Sequence, residues 1–359
     1  MKAVRMTEGP LTRNIIAFAV PIALSGMIQQ LFNAADTAVV GRFTDANALA
    51  AVGINGELIA LYICLSGGLA IGSNVLIAHS IGAEDTKGIS RSVHTSLLLS
   101  IIIGLLGMVV GLLTADPLLR LIDTPPSIFH LASLYLKLYL LGYPFLLVYD
   151  FGSAILRSHG DSRSPFFILL LSGLLNVLLN LVFVILFHMD VAGVAIATDI
   201  ATAVSAISVI YRLANEEGPF RFSPRRLALD LPFAVTILKI GIPAALQGAV
   251  FCFANIFVQA VVNTFGTILV AGNTIALNVE YFTYYVITAF GQTATTFVSQ
   301  NYGAGNRARC LRTGKICFLF AILLGFAINV PASLLYPVTA GGFPPGPPPY
   351  RTEGVPYPT

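Results

Sequence analysis

The sequence has little charge, no tryptophan and only four cysteines, none of which forms a CxxC pair. Charged residues make up 10% of its 359 positions, whereas a soluble protein needs about 25% to cover its surface. The motifs GxxxxGK[ST], HExxH and GxSxG do not occur, and the histidines and cysteines lack metal-ligand spacing. We therefore predict no enzyme, no ATP-driven pump and no cofactor, and we expect the cysteines to be small apolar packing residues.

Long apolar runs dominate what is present. Hydrophobic residues account for 56% of the chain, and the mean hydropathy is +0.83. A helix needs about 20 mostly apolar residues to span a bilayer. The sequence contains nine such runs, at about 15–40, 48–78, 93–114, 128–156, 165–187, 191–213, 233–262, 267–300 and 310–336. This pattern predicts an all-α integral membrane protein.

The basic residues indicate how the runs are oriented. With the N-terminus in the cytoplasm, sixteen of the twenty lysines and arginines fall on the cytoplasmic side, and the exceptions are Arg42, Arg120, Lys137 and Arg351. Such segregation follows the positive-inside rule. The basic clusters lie in separate loops, so a nucleic-acid surface is not expected. We predict a multi-pass plasma-membrane protein with a cytoplasmic N-terminus and no removable signal peptide.

The sequence also contains an internal repeat. Residues recur in order about 220 positions later: Pro21, Gly26 and Asn33 as Pro243, Gly248 and Asn255, and the loop residues Gly82, Ala83 and Arg91 as Gly303, Ala304 and Arg312. Six predicted helices separate the copies. An even number gives both copies the same orientation, as in secondary transporters with parallel repeats.

This repeat predicts the domain organisation. We expect an N-terminal lobe over 1–213, a cytoplasmic linker over 214–232 and a partial C-terminal lobe over 233–340 with three of six helices. Residues 341–359 contain seven prolines, which predicts a non-helical tail. The predicted fold is thus a two-lobe transporter whose second lobe is incomplete.

An acid stands inside the first apolar run. An ionised carboxylate near the centre of a membrane helix costs about 2.5–3.5 kcal/mol, so Asp36 is a candidate functional residue. Gln29 and Asn33 share its helix face, at i, i+4 and i+7. That face is expected to line a cavity or to contact polar groups of other helices.

Further polar residues occur in the fifth and sixth runs. Asn176 and Asn180 lie at i, i+4, and Thr198 and Asp199 follow in the next run. With Asp36, these oxygens could form a site for a hard cation or a proton. The alternative is ordinary hydrogen bonding between helices.

Three other acids lie in apolar runs. Glu280, in the eighth run, is a second buried candidate. Glu57 and Asp150 stand nearer the ends of their runs and are expected at the membrane surface.

Several separated motifs resemble the multidrug and toxic compound extrusion (MATE) transporters. They are Pro21, Gly26 and Asp36 in the first run, the GA loops at 82 and 303, ILRSHGDSRSP, and Glu280 ahead of AFGQTATTFVSQNYGAGN. The resemblance implies a twelve-helix, two-lobe antiporter that expels cationic or amphipathic compounds in exchange for Na⁺ or H⁺. Relative to that pattern, the chain is expected to be C-terminally truncated.

The resemblance also implies site residues. By position, the cation or proton site of the family falls on Asp36, Asn176, Asn180 and Thr198. Asn180 stands where some members carry a second acid. Candidate ion or substrate contacts are Gln29, Asn33, Asp199, Asn255 and Glu280, and Cys252 stands where other members carry a helix-seven glutamate. Pro21 matches a proline at which the first helix bends.

The implied cycle is a rocking of two lobes in which Asp36 takes up the ion and the drug is released. The partners expected are a small cationic or amphipathic substrate and the lipid bilayer, with no nucleic acid, no ATP and a monomeric state. Two alternatives stay open. One is a flippase for a lipid-linked saccharide in the same superfamily, and the other is a truncated membrane protein that does not transport.

Overall fold

Ten α-helices make up most of the described residues. The computed structural model describes residues 4–263 and 267–340, and no β-strand occurs in these ranges. The predicted tail over 341–359 lies outside the described residues. The helices are α1 (Leu11–Phe43), α2 (Ala46–Gly82), α3 (Thr86–Leu121), α4 (Pro126–Leu141), α5 (Tyr143–Ser158), α6 (Arg163–Leu181), α7 (Asp190–Ala214), α8 (Leu231–Asn263), α9 (Thr267–Gly303) and α10 (Arg307–Ala340).

Each predicted apolar run falls on one of these helices or on a helix pair. In the described residues, seven helices are long and apolar enough to cross a membrane, and α4 with α5 makes an eighth span if the bent pair counts as one. The eighth run, 267–300, coincides with α9, a helix of 37 residues. The predicted all-α membrane fold is confirmed.

The fourth predicted run, 128–156, is not one straight helix. It breaks at Gly142 into α4 and α5, whose axes differ by 45°. Pro144 lies in the first turn of α5 and has no N–H, so it cannot donate the backbone hydrogen bond that would continue the α4 ladder. The amide of Gly142 closes the last turn of α4 on the carbonyl of Tyr139, at 3.2 Å.

The second repeat copies the first in helix length. We call α1 to α7 the first repeat and α8 to α10 the second repeat. α1 and α8 have 33 residues each, α2 and α9 have 37 each, and α3 and α10 have 36 and 34. The parallel repeat predicted from recurring residues is therefore visible in the helices.

The two repeats meet closely at the end of the bundle where α1 begins, which we call the N-terminal end. A Cβ added to Gly82 would overlap the backbone carbonyl of Gln300, and one added to Gly303 would overlap the carbonyl of His79. A Cβ at Gly72 would overlap the carbonyl of Ile237. Such small residues let membrane helices approach to backbone contact.

Polar contacts close the same end. Thr296 on α9 donates to Oδ1 of Asn74 on α2 at 2.9 Å, and the amide of Gln300 donates to the carbonyl of Ser158 at 2.6 Å. The Arg309 guanidinium donates to the carbonyls of Met6, Glu8 and Gly9 at 3.0, 2.9 and 3.2 Å. The segment before α1 is thus held by α10.

The segment between α7 and α8 contains two short 3₁₀ turns, Gly218–Phe220 and Pro224–Arg226. It packs on the start of α3, where Nε2 of His94 accepts the Ser223 N–H at 3.2 Å and Thr95 accepts the Asp230 N–H at 3.2 Å. The segment is therefore anchored to the first repeat.

Asp150 does not lie where the sequence predicted it. It accepts a hydrogen bond of 2.6 Å from Ser66 on α2, so helix packing holds it instead of the membrane surface.

Candidate functional site

A chain of hydrogen bonds joins α1, α6 and α7. Nδ2 of Asn180 donates to Oδ1 of Asp36 at 2.5 Å and to Oδ1 of Asn176 at 3.3 Å. Nδ2 of Asn176 donates to Oγ1 of Thr198 at 3.1 Å, and this hydroxyl donates to the carbonyl of Val194 at 3.0 Å. The structure therefore brings together Asp36, Asn176, Asn180 and Thr198, which we call the Asp36 network.

The direction of these hydrogen bonds determines the orientation of both asparagine amides. Thr198 gives its one proton to Val194, so it can only accept from Asn176, which in turn accepts from Asn180. Both N–H groups of Asn180 are then used. Its carbonyl oxygen is enclosed and has no hydrogen-bond partner among the described residues. A buried acceptor of this kind requires a hydrogen-bond donor or a cation.

The charge of Asp36 is likewise not balanced nearby. In the described ranges no lysine, arginine or histidine lies within salt-bridge distance of this carboxylate. Its neighbour Asn180 is completely buried, and Asn176 is 5% exposed. A carboxylate beside buried amides and without a basic partner is suited to binding a small cation or a proton.

Local helix geometry positions the two asparagines. Their i, i+4 spacing places both side chains on the same face of α6. Asn180 lies one residue before the end of α6, which continues as a π-helical turn over Val182–Leu186. Such π turns are rare and occur often at functional sites. On the same side of α6, the Phe32 ring of α1 covers Gly173, where a Cβ would overlap it.

Asp199 lies outside the Asp36 network. Its carboxylate lies against Gly142, where an added Cβ would overlap it, at the break between α4 and α5. Tyr139, Tyr143 and Thr202 line a small cavity with it. The sequence did not indicate these partners, although the Gly-Tyr-Pro sequence at 142–144 could have indicated the break.

The other predicted contacts are placed separately. On α1, Gln29 is half-buried and Asn33 is exposed, and neither has a hydrogen bond to the Asp36 network. The next residue, Gln30, accepts a hydrogen bond of 3.4 Å from Tyr285 on α9. Asn255 is half-buried on α8. Glu280 is exposed on α9, so the prediction that this acid is buried is wrong for this structure.

Pro21 lies in the first half of α1, which continues through it. A proline has no N–H, so the carbonyl of Ala17, four residues earlier, lacks its helical donor. The Ser25 hydroxyl donates to the carbonyl of Pro21 at 2.8 Å. The backbone ladder is therefore weakened at this position.

The sequence profile of the MatE family matches residues 21–182 and 243–343. The chain belongs to the MatE family. The profile matches twice, and its second match begins at 243 where the first begins at 21, which is the offset of 222 between Pro21 and Pro243. The family resemblance and the parallel repeat predicted from the sequence are both confirmed.

Relatives and a solved structure agree with this family. The chain is 28% identical over 310 residues to the probable multidrug resistance protein YpnP of Bacillus subtilis, covering 86% of this chain and 69% of the relative. It is 28% identical over 334 residues to the probable multidrug resistance protein NorM of Thermotoga maritima, covering 89% and 70%. A MOP superfamily transporter from Pyrococcus furiosus superposes with a TM-score of 0.84 at 26% identity, covering 95% of this chain and 75% of that one.

Membership identifies this MatE chain as a multi-pass membrane transporter and confirms the prediction that it is not an enzyme. The roles of the individual site residues stay predictions.

Proposed function

We propose that this MatE chain is a secondary active antiporter of the plasma membrane, exporting cationic or amphipathic compounds in exchange for Na⁺ or H⁺. The names of the Bacillus subtilis and Thermotoga maritima relatives support the substrate class. The distribution of lysine and arginine supports a cytoplasmic N-terminus. We also propose lobes over 1–213 and 233–340, separated by a linker over 214–232 and followed by a tail over 341–359.

The observation that carries this proposal is the Asp36 network. Its carboxylate has no basic partner, and the carbonyl of Asn180 accepts no hydrogen bond in the described part of the chain. Na⁺ would satisfy both oxygens, and a proton would neutralise the carboxylate. Either ion removes the negative charge of Asp36, and with it the attraction for a cationic substrate.

The two ends of the bundle support alternating access. At the N-terminal end the two repeats are in backbone contact, at Gly82 and Gly303, and the space between them is closed. Asp36 lies in the opposite half of α1, only seven residues before that helix ends at Phe43, and it is partly exposed. With the N-terminus in the cytoplasm, this arrangement corresponds to an outward-facing state.

Exchange then requires that the ion and the substrate bind the same conformational state with different affinities. Uptake of the ion at Asp36 lowers the affinity for the compound, which leaves on the outside. We propose Pro21 as the hinge in α1, because the missing backbone hydrogen bond to Ala17 makes bending there less costly. Return of the ion to the cytoplasm restores the charged site for the next compound.

The test is efflux of a fluorescent cationic dye from cells expressing the chain. We expect Asp36→Asn to lower efflux at least about tenfold, which corresponds to about 1.4 kcal/mol. Asp123→Asn is the matched control, because Asp123 is exposed in the turn after α3 and its φ of 53° suits asparagine.

The coupling ion is identified by removing Na⁺ and dissipating the pH gradient in separate experiments. Efflux should stop in one of them and continue in the other. Efflux by Asp36→Asn at the wild-type rate, from protein inserted at the wild-type level, would show that Asp36 is not the coupling site.

A further inference from the structure

Two thiols from different repeats lie next to each other. Sγ of Cys64, near the middle of α2, lies 3.0 Å from Sγ of Cys252 on α8, and both are free thiols. The two residues are 188 positions apart in the sequence. Cys310 and Cys317, both on α10, do not form such a pair, since Cys310 donates to the carbonyl of Val298 and Cys317 is buried in an apolar cluster.

The surrounding backbone explains why the sulfurs meet. A Cβ added to Gly248 would lie 3.2 Å from Cβ of Cys64, and one added to Gly68 would overlap the backbone of Ala245. α2 and α8 therefore approach to backbone distance next to the thiol pair. A disulfide needs Cβ atoms about 3.5–4.5 Å apart, and helices in backbone contact supply this without large movement.

We propose that Cys64 and Cys252 form a redox site, which an oxidant converts into a disulfide joining α2 to α8. Each thiol loses its proton, the two sulfurs form one S–S bond, and two electrons and two protons pass to the oxidant. A membrane-permeant diazene accepts them and becomes the hydrazine. A reducing dithiol reverses the reaction by thiol–disulfide exchange.

The disulfide acts as a latch between the repeats. It holds α2 and α8 in the arrangement of this structure, in which the N-terminal end is closed. This consequence rests on the proposed antiport cycle, because rocking of the lobes must change the contact between α2 and α8. The oxidised protein is therefore stalled, and reduction releases it.

The test uses the full chain with both thiols of α10 removed, as Cys310→Ser and Cys317→Ser. A protease site is inserted between Glu217 and Gly218, which are exposed in the segment between α7 and α8. Purified protein is treated with the diazene diamide, cleaved and run on a gel without reductant. The expected result is one band near the full 38.1 kDa after oxidation and two fragments after reduction.

Matched variants that add Cys64→Ser or Cys252→Ser should give two fragments under both conditions. Dye efflux from cells expressing the two-cysteine protein should fall at least about fivefold with diamide and recover with the reducing dithiol. The Cys64→Ser variant should export dye at the same rate with and without diamide.

Two results would overturn the proposal. One is the absence of a joined band from folded, monodisperse protein, and the other is undiminished efflux by protein that is fully joined. If the reduced protein exports no dye at all, the antiport proposal fails, whereas the joined band still decides whether the thiols pair.

Discussion

α1 and α8 are equivalent helices that differ in chemistry. Both have 33 residues and an internal proline, Pro21 and Pro243. At the offset of 222 that relates these prolines, Asp36 of α1 corresponds to Val258 of α8, which is 58% exposed. The two helices share their length and a proline, whereas the acid occurs on α1 and not on α8. The helix is therefore repeated without its acid.

The sharpest test of this comparison is to remove one amide side chain from each repeat. Asn180→Leu removes the donor to Asp36, and a hydrogen bond to a charged group contributes about 1.5–3 kcal/mol. We expect dye efflux to fall about tenfold or more. Asn255→Leu, at a half-buried position on α8, is expected to change efflux less than about twofold, measured at matched expression.

An equal loss in both asparagine variants would contradict the asymmetry and would place part of the site on α8. Size-exclusion profiles of the two purified proteins control for misfolding.

The contact between the two repeats at the N-terminal end can be tested by adding one methyl group. Gly82→Ala places a Cβ against the backbone of Gln300, which cannot rotate away as a side chain could. Overpacking of this kind costs about 1–3 kcal/mol, so thermal unfolding in detergent should begin at a lower temperature. Gly291→Ala, on α9 with open space around it, is the control and should unfold like the wild type. Equal unfolding temperatures of the two variants would show that the repeats are not in contact at Gly82.

A smaller effect is expected at the far end of the Asp36 network. Thr198→Val keeps the shape of the side chain but removes the acceptor for Asn176, a hydrogen bond of about 0.5–1.5 kcal/mol. Efflux should fall about threefold. The second repeat offers a control in Thr236→Val, since that hydroxyl bonds only the Pro232 carbonyl of its own helix. A larger loss in Thr236→Val than in Thr198→Val would contradict the assignment.

The smallest effect concerns pH at the N-terminal end. Burial lowers the pKa of His159, although Glu216 and Asp161 act in the opposite direction. His159 follows the last residue of α5, and its ring lies 4.1 Å from the Phe220 ring. Because the unfolded chain takes up this proton more readily, stability present above the ordinary histidine pKa of about 6.5 is lost as the pH falls. His159→Asn should make the melting temperature less dependent on pH below 6.5, and an unchanged dependence would contradict this assignment.

The sequence predicted the helices and the members of the Asp36 network from local patterns. Apolar runs of membrane length specify a helix wherever they occur, and an acid or an i, i+4 pair of amides inside such a run is unusual enough to be noticed. The repeat could be found because it preserves Pro21, Gly26 and Asn33 at one offset.

Other contacts could not be predicted because they depend on tertiary packing. Cys64 and Cys252 are 188 positions apart, and no local pattern distinguishes them from cysteines that only fill space. The break at Gly142 was missed because hydropathy averaged over a whole run does not report on the hydrogen bonds of one residue. The contact of Asp199 with Gly142 was missed for the same reason.

The hydrogen bonds from Arg309 to the segment before α1 have a consequence for biosynthesis. Met6 and Arg309 are 303 positions apart, so the carbonyls of Met6, Glu8 and Gly9 receive no hydrogen bond from Arg309 until α10 begins to be made. At about 5–20 residues per second, the ribosome needs about 15–60 s to add the intervening chain. The first residues translated are therefore among the last to complete their final contacts, and the nascent first repeat passes that interval without the hydrogen bonds from Arg309 to its leading segment.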